Sequence, residues 1–137
     1  MSSAWHPTAI VGFPPMHRDH RDRPFDWIPA IVDERARIEP YVMIEHGIYQ
    51  PTLVGFAWLM PYVHIGHDAI VGDYVEIASG TVVAAHCVIG EGARTGVGAV
   101  VVRDIPAGEV WVGNPARPLK PGEQLSQPEG VPHMVSG

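Results

Sequence analysis

LMPYVHIGHDAIVGDYVEIASGTVVAAHCVIGEGARTGVGAVVVRDIP (residues 59–106) keeps a six-residue beat without a break. The first position of the hexad reads Leu59, Ile65, Val71, Ile77, Val83, Ile89, Thr95 and Val101. The second is mostly small: Gly66, Gly72, Ala78, Ala84, Gly90 and Gly96. The fifth is small or β-branched: Val63, Ala69, Val75, Thr81, Cys87, Ala93, Ala99 and Ile105. A hexapeptide period is the signature of a parallel β-helix. Three hexads make one triangular coil, so residues eighteen apart stack at about the strand spacing of 4.8 Å. Positions one and five then point inward, and the others face solvent or another subunit.

The beat extends upstream through Val32, Ile38 and Ile44, with Ala36, Val42 and Ile48 in position five. HPTAIVG (6–12) reads as a first strand and corner. Two stretches break the rhythm: GFPPMHRDHRDRPFDW (12–27) and YQPTLVGFAW (49–58), the latter with a shortened hexad at Val54-Gly55. EVWVGNPARPLK (109–120) reads as a last strand and tight turn. The expected organisation is one all-β β-helix domain over residues 1–120, looped at 12–27 and 49–58, and a Pro- and Gly-rich tail over 121–137.

The 137 residues fit one domain whose coils stabilise one another. Glycine is abundant, at fifteen residues, and within the repeat it marks tight coil corners, where positive φ is needed. A net charge of −6 argues against nucleic-acid binding, which needs a basic face. A single cysteine gives no intrachain disulfide, and no apolar run is long enough to predict a membrane span. MSSAWHPTAI has no charged and then apolar leader pattern, so the expected setting is soluble and cytoplasmic. Trp58, Tyr62, Tyr74 and Trp111 form an expected exposed aromatic set, suited to lateral packing against copies of the chain in a closed homotrimer.

His67 occupies the third position of its hexad and is expected to point outward; Asp68 follows in the fourth. His86 is also a fourth-position residue, eighteen further on, so it should stand over Asp68. His64 lies just upstream. A neutral imidazole is the natural general base near neutral pH, and a carboxylate beside it can hold its tautomer. Cys87 sits in an inward position and is read as core. His17, Arg18, Asp19, His20 and Arg21 are read as a solvated loop, with a phosphorylated acceptor or a metal as the alternative.

On HIGHD (64–68) followed by Val71-Gly72, on RIEPYVMIEHGI (37–48) and on EVWVGNPARPLK, the chain resembles the hexapeptide-repeat acyltransferases, UDP-N-acetylglucosamine O-acyltransferases and sugar N-acetyltransferases among them. The resemblance implies a left-handed parallel β-helix, trimeric, with sites between subunits. It implies His67 as general base, Asp68 and His86 beside it, and the amide of Ala85 as oxyanion donor. His64 and His46 would touch the acceptor, a sugar or nucleotide-sugar. Acetyl-CoA would be the acyl donor, lying along Trp111, Gly113, Asn114 and Pro115, with Arg94, Arg103, Arg117 and Lys120 for its phosphates. Two other classes stay open. One is a zinc protein like the γ-class carbonic anhydrases, although Gly72 stands where their third histidine would fall, so no metal is expected. The other is a non-catalytic β-helix scaffold.

Overall fold

The computed structural model describes residues 4–14 and 27–120. The basic cluster at residues 17–21, most of the 12–27 loop and the 121–137 tail lie outside the described residues. Every regular element among them is a short strand. In chain order these are β1 (Ile10–Phe13), β2 (Ile31–Val32), β3 (Arg37–Ile38), β4 (Met43–Glu45), β5 (Leu53–Val54), β6 (Trp58–Leu59), β7 (His64–Ile65) and β8 (Ile70–Val71). They continue as β9 (Glu76–Ile77), β10 (Val82–Val83), β11 (Val88–Ile89), β12 (Arg94–Thr95), β13 (Val100–Val101), β14 (Val110–Val112) and β15 (Arg117–Pro118). No helix is long and apolar enough to cross a membrane among the described residues.

Successive strands go to successive faces of a triangular prism. The first face orders β1-β4-β7-β10-β13, the second β11-β8-β5-β2, and the third β15-β14-β12-β9-β6-β3. All pairings between named strands are parallel except β14 with β15, which closes the third face as a hairpin. In the regular block the register is eighteen residues: Val82 lies on His64, Val88 on Ile70 and Glu76 on Trp58.

Beyond β1, whose Ile10 lies on Met43 thirty-three residues on, the coil length changes in three places. Leu53 pairs with Ile70, seventeen on, because the hexad between Val54 and Leu59 is one residue short. Met43 pairs with His64, twenty-one on, because residues 46–52 leave the coil. β5 and the start of β6 therefore lie on the coil, inside the stretch read as a 49–58 loop. The last coil contracts to sixteen residues, with Arg94 on Val110 and Thr95 on Trp111.

Positions one and five fill the interior. Ile38, Ile44, Leu59, Ile65, Ile77 and Val83 stack in the first set, and Ala36, Val42, Val63, Ala69, Val75 and Ala93 in the second. All are fully buried or nearly so, and burying each larger aliphatic side chain contributes about 1.5–3 kcal/mol. Two of the three buried threonines satisfy each other. Thr81 and Thr95 share a hydroxyl–hydroxyl bond of 3.0 Å, and Thr95 Oγ1 also accepts the Ala78 amide.

The sequence reading gave glycine the positive-φ corners, and the structure divides the glycines into two kinds. Position four carries the left-handed corner, at Gly80, Gly92 and Gly98, and equally at Tyr62, Asp68, Tyr74 and His86. Position-two glycines have ordinary φ and are there for space. A Cβ on Gly90 would fall on the backbone nitrogen of Ala107 and lie 2.7 Å from its Cα. Gly90→Ala should therefore destabilise the protein by about 1–3 kcal/mol through overpacking between coils, read as a fall in the urea midpoint. An unchanged midpoint would mean that the coil spacing there yields at no cost.

Of the expected exposed aromatics, Tyr62 and Tyr74 are exposed, Trp58 is half-buried and Trp111 is buried at 6 % exposure. Trp111 turns inward because the sixteen-residue coil seats it on Thr95, an interior position.

Candidate active site

The corner between the first and second faces gathers the titratable groups. The β7–β8 turn carries His67 and Asp68, and the β10–β11 turn directly above carries His86. Asp68 and His86 both adopt the left-handed corner conformation, with φ of 65° and 70°. His86 Nδ1 stands 4.0 Å from Asp68 Oδ2, and its backbone N–H donates to the His67 carbonyl at 3.1 Å. The stacking expected from the eighteen-residue winding is therefore present.

The burial of the pair departs from expectation. His67 is only 8 % exposed and Asp68 is fully buried, although positions three and four normally face out. The cause is the 46–52 excursion, which folds over this corner. The backbone N–H groups of Ile48, Tyr49 and Gln50 donate to Asp68 Oδ1 at 3.1, 2.8 and 2.7 Å. The Gln50 side-chain amide donates to the Asp68 carbonyl at 2.9 Å, and Thr52 Oγ1 accepts the Asp68 amide at 2.8 Å. Asp68 is thus the peg on which the excursion hangs.

Asp68 Oδ2 meets His67 Nδ1 at 2.6 Å. Burial pushes the Asp68 carboxyl up, but the hydrogen bond from His67 and those from Gln50, Tyr49 and Ile48 outweigh it and hold the group below the usual carboxylate range. The carboxylate accepts from Nδ1–H, which makes Nε2 the ring atom with a lone pair for an incoming proton. The His67 and His86 rings meet edge to face at 5.1 Å, and Tyr49 lies 6.0 Å from His86.

The other expected groups fall in several places. Ala85 is half-buried in the same corner column as His67, one coil up, and its amide takes no acceptor among the described residues. His46 stands one coil below His67 in register, but its Nδ1 accepts the Ala30 amide at 2.9 Å and its ring stacks on Trp27. His64 Nε2 lies 2.6 Å from Glu45 Oε2. Gly113, Asn114, Pro115, Arg117 and Lys120 line a concavity of about 350 Å³ at the β14–β15 turn, where the Asn114–Pro115 bond is cis. Arg103 lies two coils above His67, its guanidinium over the Trp111 ring at 5.5 Å. Arg94 faces Glu76 at 3.8 Å on the third face. Cys87 is buried, and burial pushes its thiol up, as a core residue requires.

Thr52, the amides of residues 48–50 and Glu45 were not foreseen from sequence. The amides carry no side-chain signal at all. Glu45 did carry one: it occupies position two, where Gly and Ala otherwise prevail.

Residues 56–85 match the family described as "Bacterial transferase hexapeptide (six repeats)". UDP-3-O-acylglucosamine N-acyltransferase of Caulobacter sp. (strain K31) is 36% identical over 89 residues, 65% of this chain and 25% of that protein. Acyl-[acyl-carrier-protein]--UDP-N-acetylglucosamine O-acyltransferase of Burkholderia lata is 32% identical over 132 residues, 80% of this chain and 49% of that protein. The chain thus spans half the length or less of these curated relatives. Among solved structures, UDP-N-acetylglucosamine O-acyltransferase of Moraxella catarrhalis matches with a TM-score of 0.67 at 21% identity, over 82% of this chain and 51% of that one. A serine acetyltransferase in complex with CoA matches with a TM-score of 0.53 at 19% identity, over 84% and 40%. These matches fix the fold as a left-handed parallel β-helix.

Proposed function

We propose that this chain, which belongs to the hexapeptide-repeat acyltransferase superfamily, moves an acyl group from a thioester donor to a hydroxyl or amine of a sugar or nucleotide-sugar. The observation that carries this reading is the buried His67–Asp68 pair at 2.6 Å, one coil below an amide without an acceptor among the described residues. His67 Nε2 takes the proton as the acceptor oxygen or nitrogen attacks the thioester carbonyl. The Ala85 amide stabilises the oxyanion, a donor whose loss typically costs about 3 kcal/mol of transition-state binding. The tetrahedral centre then collapses, the C–S bond breaks, and the thiolate leaves with the proton that His67 holds. His86 borders this corner. Holding both substrates in one cleft lowers the barrier further.

Acetyl-CoA is the proposed donor. The β14–β15 concavity, with Arg117 and Lys120 on its rim, fits its phosphates, and Arg103 lies in the His67 column above the site. A relative's name specifies an acyl carrier protein instead, so the donor is part of the test. The proposed assembly is a homotrimer. The outer positions of the second face (Ile31, Leu53, Ile70, Val88) form an apolar stripe on one side of the His67 corner, and those of the first (Ile10, Met43, Val82, Val100) are apolar on the other side except for His64 between Met43 and Val82.

One observation favours a zinc reading: the ligand atoms of His67, Asp68 and His86 lie within 4.8 Å of one another. Two ligands of one tetrahedral zinc stand about 3.3 Å apart, from metal–ligand distances near 2.0 Å. The 2.6 Å between His67 Nδ1 and Asp68 Oδ2 is a hydrogen bond, so the pair favours proton transfer.

The test is a donor and acceptor matrix. Acetyl-CoA and acyl carrier protein thioesters are each paired with UDP-amino sugars and free amino sugars, and thiol release and acylated product are measured. A bound donor at about 100 times its dissociation constant should also add about 2.7 kcal/mol to stability. No thiol release with any pair, and no melting shift with either donor, would overturn acyl transfer and leave the scaffold reading.

A further inference from the structure

We propose that Glu45 is a positioning residue of this site: it fixes the His64 ring and tautomer so that His64 Nδ1 accepts a hydrogen bond from the acyl acceptor. The inference rests on the acyl-transfer reading and adds a specificity determinant to it. Glu45 is 7 % exposed, and a buried carboxylate is retained only where it is paired. Its Oε2 takes the His64 Nε2–H at 2.6 Å. Its Oε1 is buried with no donor among the described residues. Packing gives no reason to keep such an unsatisfied acceptor in a position that neighbouring coils fill with Gly or Ala.

The consequence falls on His64. With Nε2–H donated to the carboxylate, the lone pair of the neutral ring is on Nδ1. The His64 side chain is 38% exposed, and Nδ1 has no partner among the described residues. A lone-pair nitrogen is therefore displayed on β7, three residues before His67. Such an atom takes an N–H or O–H, while His67 takes the proton of the attacking group. The acceptor must then carry a second donor beside its nucleophile, as vicinal diols and amino-alcohols of sugars do. A mono-alcohol would leave His64 Nδ1 to water and forgo that hydrogen bond.

Two measurements test this. The first needs no variant and no substrate: ¹⁵N long-range NMR of wild-type protein should show neutral His64 as the Nε2–H tautomer. The second is Glu45→Gln, which keeps the shape but can present either an oxygen or an NH₂ to the ring. It should give mixed His64 tautomers and raise the acceptor KM about two- to threefold, in proportion to the lost Nε2–H population. The donor KM and kcat should move less than that, and His64→Ala should raise the acceptor KM about five- to tenfold, the value of one neutral hydrogen bond, with no further rise in the double variant. A wild-type Nδ1–H tautomer overturns the proposal whatever the fate of the variant. So does a folded Glu45→Gln with unchanged acceptor KM. An Nε2–H tautomer in a protein that transfers no acyl group in any assay would overturn the acyl-transfer reading instead, and the acceptor role of His64 with it.

Discussion

Asp68→Asn should leave the protein folded and lower turnover by about three orders of magnitude, within the range found when a base is held in the wrong tautomer. The prediction follows from the two oxygens having different partners. Oδ1 accepts the amides of residues 48–50, and a carboxamide oxygen can do the same. Oδ2 accepts from His67 Nδ1–H, and there the variant presents an NH₂. The NH₂ needs a lone pair on Nδ1, so the ring proton moves to Nε2, and Nε2 no longer accepts one. Asp68→Ala should fail differently. It strands three backbone donors under the excursion and should destabilise the protein by about 3–5 kcal/mol, since each buried donor left unsatisfied costs about 1–3 kcal/mol.

The two variants also separate in acid. The Asp68 carboxyl is held below its ordinary value in the folded chain. Its contribution is therefore complete above the unfolded value of about 3.9, and is lost as pH falls through the lower, folded value. Asp68→Asn has no such carboxyl to protonate, so any stability advantage of wild type over it should hold at neutral pH and shrink only in acid. Urea unfolding across a pH series reads the difference. A folded Asp68→Asn with turnover within about tenfold of wild type would remove the tautomer argument.

The interior of the fold was legible because hexad positions one and five have a physical meaning that composition reveals: they must be apolar and must fit a narrow prism. Asp68 under His86 was legible for the same reason, since a fixed winding number converts spacing into stacking. Legibility ended where the winding number changed. Leu53 and Val54 looked like part of a loop because the excursion and the short hexad break the beat around them, whereas Trp111 was simply misassigned: it falls on an interior position either way, Ala93 eighteen residues before it and Thr95 sixteen. The roof over His67 was invisible because it is made of backbone N–H groups, and the Asp68 that organises them looks like any other corner residue in sequence. The corner itself was only half-readable. Glycine announces a positive φ, whereas Tyr62, Tyr74, Asp68 and His86 adopt it against a steric cost of about 1–2 kcal/mol each. At Asp68 and His86 the strained conformation coincides with the chemistry, and it sets both side chains on the one corner where they meet.

His67→Ala should lower turnover by about two to four decades, the usual size of a general-base contribution. The effect divides from a structural one by non-additivity. If His67 and Asp68 act as one unit, the base and the group that sets its tautomer, removing the first makes the second irrelevant to chemistry. The double variant His67→Ala with Asp68→Asn should then turn over no more slowly than His67→Ala alone. Independent contributions would instead multiply, giving a further loss of about three decades. Stability should move in the opposite sense. His67→Ala leaves Asp68 Oδ2 buried without its 2.6 Å donor, so the single variant should be destabilised. Replacing the carboxylate with a neutral amide should recover part of that loss. Turnover flat and stability partly restored in the double variant is the signature expected of a catalytic pair. A multiplicative loss of turnover, or a His67→Ala protein that is folded and near wild-type in rate, would place the base elsewhere on this corner.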